Sequence, residues 1–428
     1  MGYALILDIE KKGEMMKAVG VIVEYNPFHN GHKYHLEETK KKTNSDCTIA
    51  VMSGNFLQRG EPALVSKWTR TKMALEAGVD IVIELPYAFA TQKAQNFANG
   101  AISLLSALHC DEVCFGSENG TIDDFQNTVD FMKKNQRTYD SITRLNMKKG
   151  YSYPKAASLA YSSLSKHDTY VDLSKPNNIL GYHYVKAIYD QNSSVKAETI
   201  MRTSAGYHDE TISHESIASA TSIRKTLFST EKNMDQIKNY LPPSTSKWLS
   251  SYYRENQLFH RWEEYFTLLK YRLLTSTSAE LANIYEAEEG IENRLLAQIT
   301  TATSFMDFME KIKTKRYTWT RLQRLCVHIL TNTTKEQLKP INENPLATYI
   351  RLLGMSQKGQ NYLNHIKKEI ELPIVTKVSG FSDELFTLDV KATQTYLTIF
   401  PEPLRSSLLR QEYATPPIRY DEELQKYL

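Results

Sequence analysis

Val21-Ile22-Val23-Glu24-Tyr25-Asn26-Pro27-Phe28-His29-Asn30-Gly31-His32-Lys33-Tyr34-His35-Leu36 runs from a short β-branched segment through an Asn-Pro turn into a His-x-Gly-His tetrad. A buried strand that feeds a turn and then a helix start is the opening of a βαβ unit. The amides at a helix N-terminus attract anions, Gly31 allows close approach to the backbone, and His29 and His32 can donate hydrogen bonds to phosphoryl oxygens. Such donors stabilise the charge that grows as pyrophosphate is displaced, and removing one typically costs roughly a hundredfold to a thousandfold in rate. A bare His-x-x-His is a weak signal. Here the preceding strand, the Pro-Phe pair and Gly31 strengthen it against a simple helix cap, and a zinc reading lacks an acidic or cysteine partner at ligand spacing.

Outward from this turn, β-branched runs alternate with helical segments. Ala18 to Val23, Thr48 to Met52, Asp80 to Leu85, Glu112 to Phe115 and Ala197 to Met201 read as buried strands, separated by segments such as Trp68 to Ala77 and Ala94 to Leu108. This pattern predicts an α/β fold with a doubly wound parallel sheet, in which ligands bind beyond the carboxyl ends of the strands. An insert from about Asp123 to Lys175 reads as mainly helical. After Leu227 the apolar residues take helical spacing, with Pro242-Pro243-Ser244 as a join and Leu372 to Thr376 as an extended segment. The expected organisation is an N-terminal extension, 1–15, a nucleotide-binding domain, 16–228, and a mostly helical domain, 229–428. Residues 1–15 either lie outside the fold, with Met16 as a second candidate start, or supply an extra edge strand from Ala4 to Ile9.

Composition sets limits on function. With 428 residues, 41% of them hydrophobic, the chain can bury a substantial core, and a net charge of +3 excludes a protein coated in positive charge. Any nucleic-acid contact must come from a local patch. Cys47, Cys110, Cys114 and Cys326 have no paired spacing, which argues against disulfides and structural zinc and for packing roles in a reducing cytoplasm. No apolar stretch is long enough to cross a bilayer, so no membrane partner is expected, and no metal-ligand set is predicted.

Several motifs together carry a resemblance. Besides the opening turn they are Met52-Ser53-Gly54-Asn55-Phe56-Leu57-Gln58-Arg59-Gly60-Glu61-Pro62-Ala63, Lys67-Trp68-Thr69-Arg70-Thr71-Lys72-Met73-Ala74-Leu75, Phe115-Gly116-Ser117-Glu118, Pro176-Asn177-Asn178-Ile179-Leu180-Gly181, and Arg202 ahead of Ala205-Gly206-Tyr207-His208-Asp209. The chain resembles the nucleotidyltransferases with a His-x-Gly-His signature, a HUP-like Rossmann group, and more closely the bacterial tRNA(Met) cytidine acetate ligases. The resemblance implies an ATP site lined by Ile22 to His35 and completed by Gly116, Asn177 or Asn178, and Arg202. These residue types suit a nucleotide site, since a glycine at a strand end leaves room for the ligand, an Asn amide can read adenine or ribose, and an Arg fork binds phosphate. The segment Ile217 to Arg224 is similar to the superfamily's Ser-Ser-Thr-x-Ile-Arg signature, which would bring Ser219, Thr221 and Arg224 to the outer phosphates, although Ala220 removes one hydroxyl.

The resemblance further implies acetate and ATP as substrates, acetyl-adenylate as the intermediate, and transfer to N4 of the wobble cytidine of elongator tRNA(Met), without coenzyme A. Magnesium is expected with the nucleotide. Arg59 and Lys67 follow the second strand on the same sheet edge and are candidates to hold the acid. Lys311, Lys313, Lys315, Arg316, Tyr317, Trp319, Arg321 and Arg324 combine cations with aromatic rings in the manner of an RNA surface, with Arg351, Lys358, Lys367, Lys368 and Lys377 as a second basic cluster. A solvated helix face is the plain alternative for both. Two rival functions remain: adenylyl transfer to a small phosphorylated metabolite, which accounts for the first half but leaves the helical half unexplained, and a noncatalytic RNA-binding factor that holds ATP.

Overall fold

The structure, a computed structural model, describes residues 16–165, 169–202, 218–229 and 234–428. The expected extension at 1–15 and the Ala205 to Asp209 motif lie outside the described residues. Five parallel strands form the heart of the sheet: β1 (Ala18–Val23), β2 (Cys47–Ser53), β3 (Ile81–Leu85), β4 (Glu112–Ser117) and β5 (Lys196–Met201), in the order β5-β4-β1-β2-β3. Their side chains alternate between two cores. Ile49, Val51, Ile81 and Ile83 bury on one face, while Val21, Ala50, Met52 and Val82 bury on the other. Both faces are therefore covered by helices, which is why these strands read as continuous apolar runs.

The covering helices of the first half are α1 (Asn30–Thr43), α2 (Lys67–Glu76), α3 (Tyr87–Ala90), α4 (Ala94–Ala107), α5 (Ile122–Lys134), α6 (Gln136–Lys148), α7 (Tyr153–Leu164), α8 (Pro176–Asp190) and α9 (Ala220–Leu227). The order of the strands reverses at β1, which pairs with β2 on one side and β4 on the other. This switch point opens a crevice at the carboxyl ends of β1 and β4. Helices α5 to α7 form the insert that leaves the sheet after β4.

The sheet takes strands from both sides of residue 228. Beyond it, β6 (Ile350–Ser356) pairs antiparallel with β3, and β7 (Ile374–Val375) and β8 (Ile418–Asp421) run parallel to β6, with β9 (Lys426–Tyr427) antiparallel to β8. Strand β6 is buried along its whole length. The helices Trp262–Leu274, Ile291–Ile299, Phe305–Ile312 and Trp319–Leu330 make the second half mainly helical, and their apolar sides share one core with the sheet. All four cysteines are free and buried. Among the described residues no helix is long and apolar enough to cross a membrane.

Candidate active site

The turn after β1 builds the site. His29 is the N-cap of α1, and its Nδ1 accepts the backbone N–H of Gly31 at 3.0 Å. The backbone N–H of His29 in turn donates to Nδ1 of His32 at 3.3 Å, closing a capping box made by two imidazoles. Each ring thus uses Nδ1 as an acceptor, which leaves the proton on Nε2. The rings stack with centroids 3.7 Å apart, and Tyr25 and Phe28 pack edge-on or tilted against His32.

Burial, with the positive charges of Arg202 and Arg224, pushes His29 down to about 3. Burial and the neighbouring histidine likewise hold His32 well below the ordinary range, and burial brings His35 to about 4. All three rings are neutral at neutral pH. The pair His29 and His32 can therefore offer two Nε2–H donors at a helix N-terminus. Nε2 of His35 is buried and has no hydrogen-bond partner among the described residues.

These rings line a cleft of about 240 Å³ at the switch point. Its walls include Ile22, Val23, Glu24, Gly31 and Tyr34 from the β1–α1 segment, Gly116 from β4, Asn177 from α8, and Arg202, Ser219 and Arg59. A side chain at Gly116 would begin 3.3 Å from Cγ of Arg202 and 3.6 Å from Cδ2 of His35, so glycine keeps this wall open. Gln58, from the motif after β2, also lines the cleft, whereas sequence reasoning does not assign the apolar lining to the site: Phe97, Phe115, Leu180, Tyr184, Ile200, Met201 and Ala218. Their helical and strand periodicity marks them only as core.

Other candidates support the walls without lining them. Tyr25, Pro27 and Phe28 are buried in packing. Asn26 accepts the N–H of Leu64 at 2.7 Å, and its carbonyl accepts from Arg224 at 2.9 Å. Arg224 also pairs with Glu61 at 2.8 Å, which commits its fork to the turn. Asn178 accepts the N–H of Glu118 at 3.0 Å, whereas Asn177 reaches the cleft. Asn30 bonds the carbonyl of Asn239, Lys33 is exposed beside Glu37, and Thr221 is exposed in the first turn of α9. Ser219 is the N-cap of α9 and lies in the cleft wall.

Lys67 and Arg59 part company. Arg59 faces the cleft, but Lys67 is 1% exposed and sits between Glu84 and Glu412, each at 2.7 Å. Its charge is spent inside the protein. Arg70, also fully buried, donates to the carbonyls of Glu24, Ser53 and Gly54, and so ties the ends of β1 and β2 together. Glu24 accepts the N–H of Gln58 at 2.9 Å, and burial pushes its carboxyl up.

The basic segment of the second half is extensively paired. Lys311 meets Asp307, Arg321 meets Glu288, Arg324 meets Glu286, and Arg316 lies 3.8 Å from Glu289. Tyr317 is buried, with its hydroxyl on the carbonyl of Glu288, and Trp319 packs against the core. Lys313 and Lys315 remain exposed. In the second cluster Arg351 is 1% exposed within β6 and belongs to the interior.

A family model described as HIGH Nucleotidyl Transferase matches residues 16–412. A protein from Geobacillus sp. (strain WCH70) named tRNA(Met) cytidine acetate ligase is 56% identical over 404 residues, covering 94% of this chain and 100% of that protein. The chain belongs to the tRNA(Met) cytidine acetate ligase family of HIGH nucleotidyl transferases. A protein of the same name from Bacillus cereus (strain AH187) is 54% identical over 393 residues, covering 92% of this chain and 100% of that protein. Among solved structures, Thermotoga maritima TmcAL in its apo form I superposes with a TM-score of 0.87 at 34% identity, covering 95% of this chain and 100% of that one. The same protein bound with alpha-thio ATP gives a TM-score of 0.84 at 34% identity over the same coverage. The fold and the family expected from the opening turn agree with these likenesses.

Proposed function

We propose that this chain is a cytoplasmic ATP-dependent ligase that joins acetate to ATP as acetyl-adenylate and passes the acetyl group to N4 of the wobble cytidine of elongator tRNA(Met). The observation that carries this reading is the neutral His29–His32 pair at the start of α1, with both Nδ1 atoms capping the backbone and both Nε2–H groups left to donate. Attack of an acetate oxygen on the α-phosphorus forms one P–O bond and breaks the bond to pyrophosphate. Negative charge grows on the phosphoryl oxygens, where preorganised donors act most strongly in a dry site. Arg202 and Ser219 supply further donors from the cleft wall. The buried Nε2 of His35, unpartnered among the described residues, would make one more contact with the nucleotide.

Adenylation gives acetate a leaving group, AMP, so coenzyme A has no role in the scheme. In the second step the cytidine N4 attacks the acetyl carbon, AMP leaves with the bonding electrons, and N4 loses a proton. Magnesium would accompany the triphosphate, held mainly by phosphate oxygens and water. Arg59, the cleft's cation from the loop after β2, is the proposed partner of the acid. The names of the relatives at 54% and 56% identity and the alpha-thio ATP complex of the Thermotoga protein support this reading.

The test incubates purified protein with ATP, labelled acetate and unmodified tRNA(Met), and digests the RNA to nucleosides. Label in N4-acetylcytidine at the wobble position is the expected result. Adenylylation of a small phosphorylated metabolite, with no label in RNA, would place the chain in another reaction class.

A further inference from the structure

The basic segment 311–324 is largely neutralised by its own ion pairs, so the positive field has to be sought elsewhere. Residues 133–155 hold seven Lys and Arg residues and one acid, Asp140, a net charge of +6 in a chain whose total is +3. They span the end of α5, all of α6 and the start of α7. Arg137, Arg144, Lys148 and Lys149 are exposed, and no ion pair among the described residues involves them. Asp140 accepts instead from Gln136, at 2.8 Å.

Arg137, Ser141, Arg144 and Lys148 follow one another at three- and four-residue spacing and line one shallow groove along α6. Arg144 and Lys148, like charges at i and i+4, work against the helix itself. At the end of α6 the chain exposes Leu145 (56%), Tyr151 (45%) and Tyr153 (58%) beside these cations. Unpaired cations next to exposed rings fit a flexible polyanion with stackable bases.

The arm is rooted at the cleft. It leaves the sheet at Ser117 and returns at Pro176, and the Glu118 carboxylate clamps the two ends by accepting from Asn177 Nδ2 at 2.7 Å and the N–H of Asn178 at 2.8 Å. Asn177 is itself a wall of the nucleotide cleft. We infer that the exposed face of α6, continued by Tyr151 and Tyr153, is the principal RNA-docking surface of this protein. It holds the phosphate backbone while an unpaired base reaches the cleft. The inference rests on the proposed function and adds the surface that delivers its RNA substrate.

The experiment compares the full-length chain with a variant carrying Arg137→Gln, Arg144→Gln, Lys148→Gln and Lys149→Gln, and with a second carrying Lys313→Gln and Lys315→Gln. Binding of unmodified tRNA is titrated at several salt concentrations, with ATP affinity measured in parallel. The α6 variant should lose at least tenfold in tRNA affinity, and its log–log salt slope should flatten by up to about 3, at roughly 0.7–0.9 per lost contact. The second variant should lose less, and Tyr151→Ala with Tyr153→Ala should weaken binding with the slope kept. ATP affinity should stay at the wild-type value in each, which also reports that the fold is intact. Should the quadruple variant misfold, the single exchange Lys148→Glu carries the same expectation on a smaller scale. Wild-type affinity and slope in the α6 variant would overturn the inference. A wild-type protein with no salt-dependent tRNA binding would overturn the proposed function as well.

Discussion

The backbone locks His29 and His32 into one tautomer: Nδ1 of His29 holds the N–H of Gly31, Nδ1 of His32 holds the N–H of His29, and the rings stack at 3.7 Å. The same bonds that start helix α1 therefore aim two imidazole donors. Capping and catalysis are not competing explanations of this motif. The cap fixes the protonation pattern that the proposed chemistry would use.

Replacing His32 with Ala removes one donor and one cap bond together. Pyrophosphate release should fall roughly a hundredfold to a thousandfold, while unfolding free energy should fall by only about 1 kcal/mol. Activity within a few fold of wild type, in a folded protein, would take His32 out of the reaction.

Stability should rise with pH between about 4 and 6.5. Burial holds His29 at about 3 and His35 at about 4, below the unfolded value of about 6.5, so in this window the unfolded chain binds more protons than the native one. The contribution is complete above the unfolded value and is lost as pH falls towards the native ones. Each such ring adds up to about 1.4 kcal/mol per pH unit. Denaturant titrations at pH 5.0, 5.7 and 6.5 on His35→Asn should show a shallower slope than wild type, and parallel slopes would contradict the assignment.

Lys67→Ala should act on stability and leave the affinity for the acid largely alone. Removing the ammonium strands Glu84 and Glu412 in the interior, a change that typically costs about 3–5 kcal/mol. A raised KM for acetate in a variant of unchanged stability would return Lys67 to the cleft.

The parallel strands and the phosphate turn are legible in the sequence because local signals define both: β-branched runs, the Asn-Pro turn and His-x-Gly-His. Strand β6 is not. Ile350–Ser356 contains Arg351 and Gly354 and little β-branching, and its long-range pairing with β3, β7 and β8 makes it a strand. Lys67 departs from its expected place because sheet topology locates a loop and not a side chain's direction. The segment 311–324 looks basic in isolation, yet Glu286, Glu288 and Glu289 lie about one helical hairpin upstream and neutralise it. That acidic run is visible in the sequence, but its pairing with 311–324 depends on the tertiary fold.

Gly60 ties the cleft loop to the helical half. Its φ of +75° suits glycine, and a Cβ there would collide with the backbone of Gln323 and Arg324, which cannot step aside. Its carbonyl accepts Nε1 of Trp262 at 2.8 Å. Gly60→Ala should cost about 1–3 kcal/mol and weaken catalysis by displacing Gln58 and Arg59. Wild-type thermal stability in this variant would show that the loop does not depend on that approach.

Exchange of labelled pyrophosphate into ATP tests the central claim most directly, because it isolates the first step. With magnesium and acetate present and RNA absent, the wild-type protein should catalyse exchange, the rate should depend on acetate, and His32→Ala should abolish most of it. Exchange that ignores acetate, or no exchange under conditions where the protein binds ATP, would contradict formation of acetyl-adenylate in the His29–His32 cleft.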